Sequence, residues 1–308
     1  MIRLPGVVQG LLTGSVLAVL SVLSILSMLS ILSMPTQAEP MTAAEPRIVS
    51  IDGALTEIIY ALKAESALVA VDTTSRYPDA TRALPQVGYM RQLSAEGILA
   101  LRPTLVIASE DAGPDLVFEQ LQAAGIAVER VAAVDTVPGA EARIRQVGAA
   151  LGKAEAAEQL AREVGSRSRA ALARFASVQS EPPATLFLLG AASRGLMAAG
   201  QNTGAQALLD LLGLPNAMSH TGYKPVSAEG AIEASPELVL VGHTGPGDET
   251  LVSRTLAMTP AAQAGRVHSI DVGKALGFGP RLPEVLESLL ILASEQVAAG
   301  PLAAEAKP

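Results

Sequence analysis

Cysteine is absent from the 308 residues, which excludes disulfides, Cys-based zinc sites, thiol catalysis and the lipid-modified cysteine of bacterial lipoproteins. Tryptophan is absent too, and aromatics make up only 3% of the chain. The cores must therefore be filled by Ala, Leu, Val and Ile, as in Ala-rich helices packed on buried parallel strands. Basic runs are also missing. With a net charge of -8 the chain has no surface that would repay counterion release, so a nucleic-acid partner is excluded. Nucleophile elbows and phosphate loops do not occur. The three histidines, His220, His243 and His268, fall at none of the short helical spacings that metal sites use. An adjacent acid pair in a loop, Glu110 and Asp111 in SEDAGP (109–114), reads as solvated rather than catalytic. These absences argue against an enzyme.

What is present is a chain with 49% hydrophobic residues, long enough for two domains with separate cores. Arg3 is the only charge before Glu39, and residues 11–34 form a continuous apolar stretch. The pattern predicts a signal peptide over residues 1–38, cleaved after Ala38, with Ala44 as the second cleavage site. Because a helix of about 20 apolar residues spans a bilayer, a retained anchor is the alternative.

Beyond the leader, β-branched runs alternate with helical stretches. Strands are expected at 47–51, 67–72, 104–109 and 127–134, with a helix over 55–64, and again at 185–190, 237–242 and 266–271. Such spacing implies parallel, doubly wound sheets. Between the two blocks lies an Ala/Glu/Arg-rich region, and its later part, Ala154 to Ala176, is built of strong helix formers and stopped by Pro182 and Pro183. The chain thus divides into an N-terminal lobe (45–138), a bridging helical region (139–180) and a C-terminal lobe (184–302).

An internal repeat relates the two blocks. LSAEGILALRPTLVIAS (93–109) aligns without gaps with VSAEGAIEASPELVLVG (226–242), and both copies follow a Gly-Tyr pair, Gly88-Tyr89 and Gly222-Tyr223. In each copy the serine, Ser94 or Ser227, is a plausible N-cap, and Glu96 or Glu229 sits in the first helical turn, where the helix dipole favours an anion. Two readings stand for the glutamates: they cap their helices, or they present one carboxylate per lobe to a two-fold partner.

VDTTSRYP (71–78), LPQVGYMRQLSAEGILALRPTLVIASEDAGP (84–114), GYKPVSAEG (222–230) and GFGPRLPE (277–284) resemble the periplasmic haem-binding proteins of Gram-negative haem ABC importers. The resemblance covers nearly everything after the leader. It implies an α/β fold of two doubly wound lobes bridged by a long α-helix, a monomer in the periplasm. It further implies ferric haem b as transported ligand, an inner-membrane permease with its ATPase as partner, and permease docking through Glu96 and Glu229. It maps the iron ligand onto Tyr77, whose phenolate is a hard anionic donor suited to ferric haem; on the residues alone Tyr77 is equally a turn aromatic beside Pro78. Arg76, Arg91 and Lys224 are candidate cations near it. Lys224 would face Tyr77 across the cleft, or be a solvated surface lysine. Arg281 would meet a propionate, or tie strand to helix. Tyr89 would be a cleft-wall contact. Some members hold a second haem through a His from the loop that reads LFLLGAASRG (186–195) here; with no His in it, one haem per chain is expected. A ferric siderophore or cobalamin is the alternative cargo on the same scaffold, and a periplasmic enzyme the more distant one.

Overall fold

The computed structural model describes residues 46–178, 181–191, 195–243 and 249–299. The leader with its cleavage sites, and the last residues assigned to the C-terminal lobe, lie outside these. No helix among the described residues is long and apolar enough to cross a membrane.

The first sheet contains β1 (Ile48–Ile51), β2 (Leu68–Val71), β3 (Leu105–Ser109) and β4 (Ala127–Val131). They are ordered β2-β1-β3-β4, and every pairing is parallel. Parallel strands need crossovers, and α1 (Gly53–Ala61), α2 (Ala95–Leu99) and α3 (Asp115–Ala123) supply them. Both faces of the sheet are covered, so β1 is buried at all four positions, its one polar side chain, Ser50, accepting from the Thr56 hydroxyl at 2.8 Å.

The second sheet contains β5 (Thr185–Ala191), β6 (Gly195–Ala199), β7 (Tyr223–Pro225), β8 (Leu238–His243) and β9 (Val267–Asp271), ordered β7-β6-β5-β8-β9. Here β5, β8 and β9 are parallel, but β5–β6 and β6–β7 are antiparallel. The expected strands are all present. What the sequence reading left out is the pair β6 and β7, short segments without the β-branched run that marks the others. Helices α6 (Gly204–Leu212), α7 (Ala228–Glu233), α8 (Glu249–Leu256), α9 (Pro260–Gln263), α10 (Val272–Leu276) and α11 (Leu282–Ala299) complete this lobe.

The region between the sheets is a helical hairpin, with α4 (Val137–Ala150) and α5 (Ala154–Val178) running antiparallel. Thr136 caps the start of α4 by accepting from the Gly139 amide at 3.0 Å, with Pro138 in the first turn. Gly152, at φ 67°, ends it in the left-handed conformation that glycine adopts at no steric cost. The two helices touch backbone to backbone: a Cβ on Gly148 would sit 2.0 Å from that of Ala157. Arg145 pairs with Glu158 and Arg169 with Glu141, each at 2.6 Å; solvent screens such pairs, and they add little to the packing.

Burial shows why the hairpin acts as a bridge. Ile144 and Val147 of α4 join Ala157, Ala161 and Val164 of α5 in a core with Leu55, Ile58 and Ile107 of the first lobe. Val137 and Ala140, at the other end, join Ala171 and Phe175 in a core with Phe187, Leu240, Phe278 and Leu286 of the second. Each helix thus buries one end in each lobe. The 25-residue α5, roughly 37 Å long at 1.5 Å per residue, reaches from one core to the other.

Candidate functional site

The parallel strands of both sheets direct their carboxyl ends toward a cleft of about 820 Å³, within the range of ordinary ligand sites. Asp52, Thr74, Tyr89, Arg91, Asp111, Asp135 and Arg143 line it from the first lobe's side. Thr203, Gln206, Asp210, Tyr223, Val272 and Gly277 line it from the second.

The loop after β2 is fixed by one buried carboxylate. Asp72, at 0% exposure, accepts from the amides of Asp52 and Thr74 (both 3.0 Å) and the hydroxyls of Thr74 (2.7 Å) and Ser75 (2.8 Å). Ser75 in turn lies 2.7 Å from the Thr56 hydroxyl of α1, and the Gly53 amide donates to Thr74 at 3.0 Å. The loop backbone crosses so close to the start of α1 that a Cβ on Gly53 would meet the Thr74 carbonyl at 2.7 Å. Every bond in this set is buried or partly so, and together they hold the loop rigidly against the helix. Two residues beyond Ser75, the ring of Tyr77 is half exposed. It is not itself among the residues lining the cleft; Thr74 of the same loop is.

Arg281, expected to meet a ligand carboxylate or to be structural, has its guanidinium 3.9 Å from the centroid of the Tyr77 ring. Its Nε donates to Glu57 Oε2 at 2.8 Å and its Nη2 to Glu57 Oε1. The protein's own carboxylate thus occupies the fork that a propionate was expected to fill. Glu57 is 8% exposed; burial pushes its carboxyl above the usual range and the Arg281 ion pair opposes that shift. The glycines of GFGPR also have a different neighbour from the one expected. A Cβ on Gly279 would meet that of Ala54 in α1 at 3.3 Å, and one on Gly277 would meet the Gly273 carbonyl at 2.6 Å with the Ala54 Cβ at 3.6 Å, so both glycines leave room for the protein's own backbone and for α1.

Of the other expected site residues, Tyr89 and Arg91 line the cleft, and Arg91 lies 3.5 Å from Asp111. Arg76 is exposed and donates to the Thr73 carbonyl at 3.4 Å. Lys224 does not reach the cleft: successive residues of a strand face opposite ways, and in β7 it is Tyr223 that points inward. Burial holds the Tyr223 phenol in its protonated form, above its ordinary range, so it can donate a hydrogen bond to a ligand. Sequence reasoning missed Tyr223 as a site residue although the repeat pairs it with Tyr89. Glu96 and Glu229 are both exposed in the first turns of α2 and α7. The two serine caps differ: Ser227 accepts from the Gly230 amide at 3.2 Å, whereas Ser94 makes no side-chain cap.

The remaining charged groups of the cleft centre on Arg143, also unforeseen. Its side chain is 6% exposed and lies 3.7 Å from Asp135, and it donates to the carbonyls of Gly277 (2.5 Å) and Phe278 (3.3 Å). Asp52, which caps α1 by accepting from the Ala54 amide at 2.7 Å, has its pKa raised to about 6, by burial above all, with Arg143 opposing. Burial likewise raises Asp135. Among the described residues no group of three or more His, Cys, Asp and Glu could hold a bare metal ion.

This bilobal arrangement, with its ligand-sized cleft, matches a known family. The model of the periplasmic binding protein family covers residues 48–272. The chain belongs to that family. The periplasmic heme-binding protein RhuT of Roseiflexus sp. RS-1, in its apo form, is similar at 36% identity and a TM-score of 0.76, over 82% of this chain and 99% of that one. The periplasmic heme-binding protein BhuT, in complex with two hemes, is also 36% identical, with a TM-score of 0.72 over 82% of this chain and 98% of its own. The vitamin B12-binding protein of Yersinia pestis is 29% identical over 67% of this chain and 72% of its length.

Proposed function

We propose that this protein binds haem and delivers it to an inner-membrane ABC permease with its ATPase, and that it is not an enzyme. The observation that carries the reading is the half-exposed phenol of Tyr77, held on a rigid loop beside the cleft with a guanidinium against its ring. A phenolate is a strong, hard ligand for ferric iron. The similarity to two heme-binding proteins supports haem b, in the ferric state, as cargo. Tyr89, Arg91 and Tyr223 would contact the macrocycle or its propionates. Arg76 and Lys224 would act from outside the cleft, through its electrostatic field.

In this reading the protein is an exported periplasmic monomer, its signal peptide removed, and Glu96 and Glu229 dock the permease. Absence of a His in 186–195 favours one haem per chain, although BhuT carries two. A spectrophotometric hemin titration tests the reading. We expect a single equivalent to bind, and Tyr77→Phe to weaken binding at least about 100-fold, since a metal–ligand bond is lost. Unchanged affinity and spectrum in the variant would remove Tyr77 as the ligand. The relative that binds vitamin B12 makes cobalamin the second reading; competition of cobalamin against bound hemin separates the two, because only one of them can be the tighter ligand.

A further inference from the structure

The seam between the lobes runs directly behind the Tyr77 loop. On one face of α1, Gly53 and Thr56 hold the loop through Thr74 and Ser75. On the other, Ala54 meets Gly277 and Gly279, and Glu57 meets Arg281. Arg281 belongs to the second lobe: it immediately precedes α11, whose Leu282, Val285 and Leu286 are buried in that lobe's core. Glu57 belongs to the first, between Leu55 and Ile58 of its core. Yet the Arg281 guanidinium lies over the ring of Tyr77, a first-lobe residue. The second lobe thus supplies the support for the first lobe's ligand, and a first-lobe carboxylate holds that support in place.

We propose that Glu57 is a positioning residue and that the Glu57–Arg281 pair is a latch, making the posture of Tyr77 depend on contact between the lobes. The inference rests on Tyr77 being the haem ligand. With the seam closed, Glu57 holds the planar guanidinium flat against the ring. A buried arginine without its carboxylate has no reason to stay there, because an unpaired charge is costly away from water. Movement of the lobes apart at the seam withdraws Arg281 from Glu57 and from the ring together, and the iron ligand loses its support in the same step. A permease that grips both lobes and pulls them apart would therefore loosen the haem without touching it.

The test measures hemin release from the ferric complex into excess apomyoglobin, with the tyrosinate-to-iron charge-transfer band recorded for each variant. Arg281→Lys keeps a positive charge for Glu57 but loses the planar stack and the bidentate fork. Glu57→Gln keeps the shape and removes the anchor. Each is expected to release hemin roughly tenfold faster, the scale of one partly desolvated cation–ring contact, and to shift the band. The double variant should match the singles instead of multiplying them, because both break one unit. Gly279→Val, which forces a side chain against Ala54 at the seam, should also speed release although Tyr77, Glu57 and Arg281 are all retained. Wild-type rates and band in Arg281→Lys overturn the latch, as do single effects that multiply in the double variant. Wild-type release in a folded Gly279→Val overturns the dependence on lobe contact. Should Glu57→Gln fail to fold, the melting curve reports it, and Arg281→Lys, which leaves Glu57 neutralised, decides. A wild-type protein that binds no hemin, or one whose Tyr77→Phe variant binds normally, fails the ligand reading first, and is told apart by that.

Discussion

The same element stands in both lobes, at 93–109 and at 226–242, and the structure shows how far the copies have parted. Their backbones agree in small detail. Arg102 and Ser235, each just before a proline, have φ of 49° and 46°, a left-handed conformation uncommon for such residues. Gly88 and Gly222, at 96° and 74°, each turn a tyrosine toward the cleft. What precedes the copies does not agree. In the first lobe, β2 leads to a loop held by the buried Asp72 carboxylate and carrying Tyr77. In the second, β5 pairs antiparallel with β6 and then β7. The features kept in both lobes are those that line the two walls of the cleft and start the two exposed helices; the Tyr77 loop stands in one lobe only.

The strongest way to break this comparison is to reverse the charge at both of the repeated carboxylates. Glu96→Arg with Glu229→Arg should abolish haem-dependent growth through the importer while hemin titration of the purified protein stays at the wild-type affinity, because both side chains are exposed and away from the cleft. Each single reversal should give an intermediate uptake rate. Full uptake by the double variant would mean that the two helix starts are alike for structural reasons only.

A smaller effect separates the lobes by their acid chemistry. Asp52 ends β1 in the first lobe, whereas the matching end of β5, Leu189 and Gly190, has no ionisable group. The folded-state pKa of Asp52 is about 6, against an ordinary value of 3.8, so the folded protein holds this proton more tightly than the unfolded chain does. The group therefore contributes most at low pH. Its contribution falls as pH rises from about 4 to about 6 and stays lost above that, by at most about 3 kcal/mol. Asp52→Asn retains an oxygen to cap α1 and removes the ionisation. The variant should melt a few degrees higher than wild type at pH 7, and the gap should close near pH 4. An identical pH dependence in the two proteins would show that Asp52 ionises normally.

Much of this architecture was legible in the sequence, and the parts that were not share a cause. Parallel strands announce themselves through apolar runs such as LVIA (105–108) and LVLVG (238–242), since both faces are buried. The antiparallel segments β6 and β7 carry no such run: β7 is a three-residue, partly exposed edge strand, and β6 (GLMAA) has no β-branched residue. The long bridging helix expected over Ala154 to Ala176 runs from Ala154 to Val178; the helix α4 that pairs with it was not read as a separate element, although Thr136, Pro138 and Gly152 are ordinary start and stop signals. Side-chain direction was the least legible of all. Lys224 was favoured for its charge, yet a one-residue step along β7 places Tyr223 in the cleft instead. The Glu57–Arg281 pair joins residues 224 positions apart, and nothing local at either end specifies the other.

The smallest expected effect is the most direct measure of how far the copies have diverged. Ser227 accepts a hydrogen bond from the Gly230 amide, and with the backbone amide of Glu229 it also lowers the Glu229 carboxyl below its ordinary range. Ser94 has an extended backbone like that of Ser227 but makes no such bond. Ser227→Ala should therefore destabilise the protein by about 1 kcal/mol, the usual worth of an N-cap, whereas Ser94→Ala should stay within about 0.5 kcal/mol of wild type. Denaturant midpoints of the two variants measured side by side decide it. Equal losses would mean that Ser94 caps its helix in solution after all, and that the two helix starts are energetically as well as geometrically alike. If the losses differ as expected, the helix start in the second lobe is the firmer of the two, and Glu229 is the better fixed of the two exposed carboxylates.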